Sequence, residues 1–144
     1  MIRSIRVSVM YVAMALLSLV GLVDALYLTI EHVTGQSVRC TIVSGCSEVL
    51  SSSYAVVAGI PLAAVGAAAY FTVFSLATLA IFGYRLAGKL LAPLTALMVL
   101  VSLWLIYLQA FVIRAFCQFC LLSAAITIIL FVIAFVAWKK GSLR

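Results

Sequence analysis

The chain reads as four long apolar runs separated by short polar interruptions. The runs cover about Val7–Ile30, Ile60–Phe82, Leu90–Ile113 and Leu121–Trp138, and a polar start carries the last one back to about residue 118. Each approaches the roughly 20 apolar residues needed to cross about 30 Å of hydrocarbon. None alternates with the period of two expected of barrel strands, and a helix satisfies its own backbone hydrogen bonds in lipid. The pattern therefore predicts an all-α integral membrane fold, a bundle of four transmembrane helices forming a single domain over residues 1–144. Between the first two runs lies a loop over about residues 31–59. Inside it, Leu50, Tyr54 and Val57 fall at i, i+4 and i+7, so a short helix over Ser47–Val57 would gather them on one face and turn Ser51, Ser52 and Ser53 largely away. That segment is too short to span, and it reads either as a lid on a pocket at the end of the bundle or as an interfacial helix resting on the bilayer. Gly59, Ala63 and Ala67 recur every four residues and predict a face for close helix packing along the second span.

Composition agrees with this reading. Of 144 residues, 68% are hydrophobic and only 8% charged, and the mean hydropathy is +1.39. A soluble domain is about half apolar and about a quarter charged, so an ordinary globular enzyme and a disordered chain are both excluded. Nine Lys and Arg against three acids would ordinarily raise the question of nucleic-acid binding. Their positions answer it. Arg3, Arg6, Arg85, Lys89, Lys139, Lys140 and Arg144 fall on one side of the predicted bundle, leaving only Arg39 and Arg114 on the other. Basic residues in short loops stay cytoplasmic, which places both termini in the cytoplasm and makes the charge a topology signal. The first run exceeds the roughly 7–15 residues of a signal-peptide core and ends in no small-x-small site, so it reads as a retained anchor.

Four cysteines then share the outer side. Cys40 and Cys46 lie in the first loop, Cys117 and Cys120 where the chain enters the fourth span, all in a compartment where disulfides persist. Four cysteines admit three pairings. Cys117-Gln118-Phe119-Cys120 is a C-x-x-C at a helix start, where backbone N–H groups and the positive end of the dipole favour a thiolate. Arg114 adds positive charge if the bend brings it close. Two structural disulfides or a four-thiolate zinc site are the alternatives, but two pairs separated by two spans suit a redox relay better than a closed knot. A thiol-electron transporter would need a cysteine on the cytoplasmic side, and the predicted topology has none. With one histidine, His32, paired-His haem ligation is unavailable, and no glycine-rich nucleotide loop is present. The acceptor must then diffuse to the thiols, and in a membrane that points to a lipid-soluble quinone held between helices.

These residues carry a specific likeness. Cys40-x5-Cys46-Ser47 with its following serines, Gly59-Ile60-Pro61, Gly66, Tyr70 and Cys117-x-x-Cys120, in that order, resemble the vitamin K epoxide reductase (VKOR) family over essentially the whole chain. The run Asp24-Ala25-Leu26-Tyr27-Leu28-Thr29 looks like its bacterial members. The resemblance implies a four-helix bundle around a quinone, capped by an extracytoplasmic loop and half-helix, in the cell (inner or plasma) membrane. It implies a disulfide-generating enzyme that passes electrons from a thioredoxin-like, DsbA-type protein to menaquinone, ubiquinone or vitamin K, without a metal or nucleic acid. Many such members are fused to their thioredoxin-like partner, and this chain ends at Arg144, so a separate partner is expected. Carried over, Cys40 meets the partner, Cys46 attacks the Cys117–Cys120 disulfide at Cys117, and Cys120 faces the quinone. Ser52 falls on the family's supporting serine, and Leu50, Tyr54 and Asp24 are further candidates for the quinone site. Animal members reduce vitamin K epoxide using an asparagine in the second span and a tyrosine four residues after the C-x-x-C. This chain has no Asn, and Ala124 stands at the second position.

Asp24 is an unusual residue for a span, where a carboxylate costs roughly 2.5–3.5 kcal/mol at the bilayer centre by insertion scales. Two readings follow: a proton relay for quinone reduction, or a plainer role as a hydrogen bond tying helices together or as a solvated interfacial charge, and the second is the one expected. Glu31 and His32 are read as solvated groups near the outer surface, and Arg39 either as a solvated loop charge or as a cation that favours the Cys40 thiolate or meets an acidic partner surface.

Overall fold

A computed structural model describes residues 2–36 and 45–142. Arg39, Cys40 and Arg144 lie outside the described residues. Helix α1 covers Ile2–Thr34, and a short helix α2 covers Cys46–Ser51. After a single 3-10 turn over Ser53–Ala55, strands β1 (Val56–Val57) and β2 (Ile60–Pro61) form a small antiparallel hairpin. Helix α3 is Leu62–Ile81, α4 is Arg85–Tyr107, and α5 is Gln118–Ser142. Four of these are long and apolar enough to cross a membrane: Ser4–Thr34, Leu62–Ile81, Arg85–Ile113 and Gln118–Gly141. The protein is thus a multi-pass, all-α membrane bundle, as the apolar runs predict. The first and third helices start earlier than the sequence suggests. Polar or basic residues at the ends of a run continue the helix into the interface, where hydropathy gives no sign of them.

The bundle is held inside by side chains that make few demands on water. Met14, Tyr70, Val73, Leu91 and Leu130 are buried at its centre, while residues such as Phe71, Leu100 and Phe111 are exposed for lipid. The buried hydroxyls turn back on their own helices: Ser18 donates to the Ala15 carbonyl at 2.8 Å, and Thr95 to that of Leu91 at 2.7 Å. This leaves no polar hydrogen unpaired in an apolar surrounding. Among the described residues, side-chain hydrogen bonds also run between spans: the Ser102 and Thr127 hydroxyls, 3.2 Å apart, join α4 to α5. The Tyr70 hydroxyl lies 3.0 Å from the Ser123 carbonyl oxygen, to which it donates, and 2.6 Å from the Ser123 hydroxyl, fastening α3 to α5.

Two expectations about the loop are corrected. The single helix over Ser47–Val57 does not form: α2 ends at Ser51, Ser52 is extended with φ −68° and ψ 155°, and Val57 lies in β1, exposed. The break has a local cause, since the Ser52 hydroxyl donates to the Val49 carbonyl at 2.7 Å and closes the helix end. Ala58 and Gly59 then adopt φ 53° and 80°, the pair of left-handed residues that a tight hairpin turn requires. Gly59 is therefore a turn residue, and the packing stripe read through it begins only at Ala63. Ala67 is the buried member on α3.

At the other end of the same pole, α4 does not stop at Tyr107. It widens into a π-helical turn over Leu108–Ile113 and is terminated by Arg114, a left-handed residue with φ 57°. Such insertions are rare and concentrate at functional sites. Here the wide turn delivers the chain to Cys117 and α5.

Candidate active site

The site is assembled where Gly45, at the start of α2, meets the segment that leads into α5. Gly45 comes directly before Cys46, and Phe116 directly before Cys117. A Cβ built on Gly45 would fall 2.6 Å from the Phe116 carbonyl oxygen and 2.7 Å from its nitrogen, so the two segments touch backbone to backbone. Each then delivers a cysteine to one place. Cys46, the first residue of α2, and Cys117 are both fully buried, and with Leu28 of α1 they form one cluster. Val49, Phe119 and Cys120 pack around it. Phe119, between the two cysteines of the C-x-x-C, stacks obliquely on Tyr27 of α1 with ring centroids 5.2 Å apart, which fixes the turn against the first span.

Cys46 is disulfide-bonded, whereas Cys117 and Cys120 are free thiols. The C-x-x-C opens α5 as expected, the Leu121 N–H donating to the Cys117 carbonyl at 3.0 Å. Cys117 is held below the ordinary thiol range. The main cause is a hydrogen bond from the Cys120 thiol, helped by the backbone N–H groups of Cys120 and Phe119 and opposed by burial and by the negative charge of Asp24. Arg114 is exposed and is not among these causes. The positive charge expected from it is supplied instead by backbone dipoles at the helix start.

One residue escaped the sequence reading. Gln109, 2% exposed, sits in the π-turn. Its backbone carbonyl accepts from the Ala115 N–H at 3.1 Å, and its side-chain Oε1 accepts from the Cys117 N–H at 3.0 Å. It therefore fixes both ends of the short connection into the C-x-x-C. Gln109→Leu is expected to orphan the buried Cys117 N–H, a loss of about 1–3 kcal/mol. Thermal unfolding in detergent will read it as a lower Tm, accompanied by slower closure of the Cys117–Cys120 disulfide.

Beside the cluster lies a cavity of about 890 Å³, counting its open mouth. The structure puts Asp24, Leu50, Ser52, Tyr54, Gln109 and Cys120 on its wall, while Cys117 is not on it. Leu50 and Tyr54 thus face one space although no single helix carries them. The hydroxyl of Ser52 is engaged with the Val49 carbonyl and holds the cap's own shape. His32 is half-buried, lining this cavity and also a polar groove outside it with Glu31 and Glu48. The expectation for Asp24 needs correcting. At 8% exposure it is no solvated charge, and its Oδ2 has no hydrogen-bond partner among the described residues, so it ties no helices together.

The wall is mostly apolar with a few converging polar groups, which suits a flat apolar ring bearing polar oxygens. A quinone headgroup fits that description. The model of the vitamin K epoxide reductase family matches residues 12–135.

Proposed function

The chain belongs to the vitamin K epoxide reductase family, and from that premise we propose that it is a thiol:quinone oxidoreductase that reoxidises a thioredoxin-like, DsbA-type partner outside the cytoplasm. Quinone-linked disulfide chemistry is what the family does in general. The finer route runs inward in two thiol–disulfide exchanges and a final two-electron transfer to quinone. Cys40 takes up the partner's electrons through a mixed disulfide. Cys46 attacks the Cys117–Cys120 disulfide at Cys117, and the Cys120 thiolate released by that attack is the group beside the quinone. Each exchange breaks one S–S bond and forms another, so two electrons move at every step.

The observation that carries this reading is the asymmetry of the C-x-x-C pair. Cys117 lies in the buried cluster with Cys46 and off the cavity wall, and Cys120 lies on that wall. A permanent pair of structural bridges has no use for that division, nor for two free thiols at a helix start. Exchange chemistry needs it, because one sulfur must meet the incoming thiolate while the other leaves. The lowered Cys117 thiol suits a sulfur that repeatedly leaves and re-attacks. The reading also has the cysteine cluster on the extracytoplasmic face of the plasma membrane and both termini in the cytoplasm, the arrangement supported by the distribution of Lys and Arg.

The test is anaerobic reduction of menaquinone and ubiquinone analogues by the purified protein supplied with a reduced thioredoxin-like donor. Turnover with at least one quinone is expected, and relative rates will name the preferred one. Folded protein that retains its disulfide and reduces none of them overturns the reading.

A further inference from the structure

Among the described residues Asp24 is the one carboxyl on the cavity wall, and neither packing nor bulk solvation explains it there. An acid inside an apolar bundle is retained when it is paired, hydrated or chemically used. Pairing fails, because its Oδ2 has no hydrogen-bond partner among the described residues. Bulk solvation is slight as well, since the residue is only 8% exposed. The remaining possibility is use, and the cavity contains the sulfur whose chemistry calls for an acid.

We propose that Asp24 is the proton donor of the cavity, handing a proton to a quinone oxygen as the thiols are oxidised and recovering one from them. The proposal rests on the thiol:quinone reading above. In this step two S–H bonds break and the Cys117–Cys120 bond forms. Two electrons and two protons pass to the quinone, one of those protons from the Asp24 carboxyl. The carboxylate left behind takes up a proton released as the S–S bond closes, so the residue ends as it began.

The other groups near Asp24 fit this role less well. From α5, Cys120 is itself the electron donor, and Ser123 is occupied with Tyr70. From α3, Tyr70 is bound to Ser123 in the same way. From the loop before α5, Cys117 is off the cavity wall. From α4, Gln109 is a neutral amide already bonded to the Cys117 N–H. Tyr54 belongs to the cap and is largely exposed, so it is not held at a fixed place in the cavity. His32, two turns beyond Asp24 on α1, also lines the outer groove and stands where protons from water would reach the acid. Asp24 acts electrostatically on Cys117, which places it within reach of the sulfurs it serves.

The test uses full-length protein in detergent with Asp24→Asn, which keeps the shape, and Asp24→Glu, which keeps the acid. General-acid catalysis contributes about 10²-fold or more. Single-turnover oxidation of the Cys117/Cys120 dithiol by a menaquinone analogue should therefore slow about 10²-fold in Asp24→Asn, lose its solvent deuterium isotope effect, and recover in Asp24→Glu. Exchange between the reduced donor and the outer cysteines should not change. A second readout needs no turnover: infrared difference spectra on adding a naphthoquinol should show a shift in the C=O band of a buried protonated carboxyl, absent from Asp24→Asn. Wild-type rate and isotope effect in Asp24→Asn, or an equal loss in the thiol exchange, overturns the role of Asp24. Wild-type protein that passes electrons to no quinone overturns instead the reading of function.

Discussion

Cys120→Ala is expected to stop electron transfer to quinone by about 10³-fold or more, and to trap the protein in a covalent form that reveals the route. The loss is large because the residue is a reacting atom, and such removals are not compensated by neighbours. The trap follows from what remains. Cys117 keeps its place in the buried cluster with Cys46 but has no partner with which to close a disulfide. Once it attacks the bonded Cys46, the mixed Cys46–Cys117 disulfide persists, and non-reducing peptide mapping will detect it. A pH effect accompanies the substitution. The Cys120 thiol is the main cause of the lowered Cys117 ionisation, so the substitution removes a donor that favours the thiolate. With Cys46→Ala added so that the trap cannot form, the ultraviolet thiolate absorbance of Cys117 should then titrate at higher pH than in Cys46→Ala alone. A variant that still reduces quinone would remove Cys120 from the route, and one whose Cys117 titrates unchanged would assign the lowering to the helix start alone.

How much of this was legible beforehand differs from element to element, for physical reasons. The four spans are written in bulk hydropathy, a property summed over about 20 residues that no single position can hide. The C-x-x-C is equally plain, because its spacing and its helix-start location are both local. The cap was misread because Leu50, Tyr54 and Val57 keep a helical spacing through a segment whose backbone breaks at Ser52. Periodicity cannot register a serine that bonds its own helix end or a hairpin turn at Ala58 and Gly59. Gln109 was invisible for another reason. A π-helical turn leaves no mark in composition, and one amide in a long apolar run looks like tolerance. The available signal was that it is the only Asn or Gln inside one of the four apolar runs. In lipid such a group needs a partner, and here the partner is the Cys117 backbone. Asp24 was visible as unusual, but its lack of a partner is a fact of three dimensions.

Gly45→Ala is expected to separate the two halves of the reaction. Partner-driven quinone reduction should fall by about 10²-fold, while oxidation of a pre-reduced Cys117/Cys120 pair by quinone should stay within about twofold. The new Cβ would meet the Phe116 oxygen at 2.6 Å, its nitrogen at 2.7 Å and the Ala115 Cβ at 3.0 Å. Two of these are backbone atoms held by the Cys117 and Gln109 bonds on one side and α5 on the other, so no rotamer change relieves the contact. The loop before Cys46 must retreat, and Cys46 moves away from Cys117 with it. Thiol exchange is intolerant of such a shift, because a misplacement of about 1 Å can cost about 10²-fold where reacting atoms must align. The cavity side is spared, since Cys120 is carried by α5 and most of the wall around it by α1, α3 and the third span. Gly141→Ala, where a Cβ would meet nothing within 4 Å, is the matched control and should leave both rates alone. Stopped-flow measurement of the two half-reactions checks this directly. Equal losses in both would mean that Gly45 supports the whole site, and no loss in either would mean that electrons reach Cys117 without passing through Cys46.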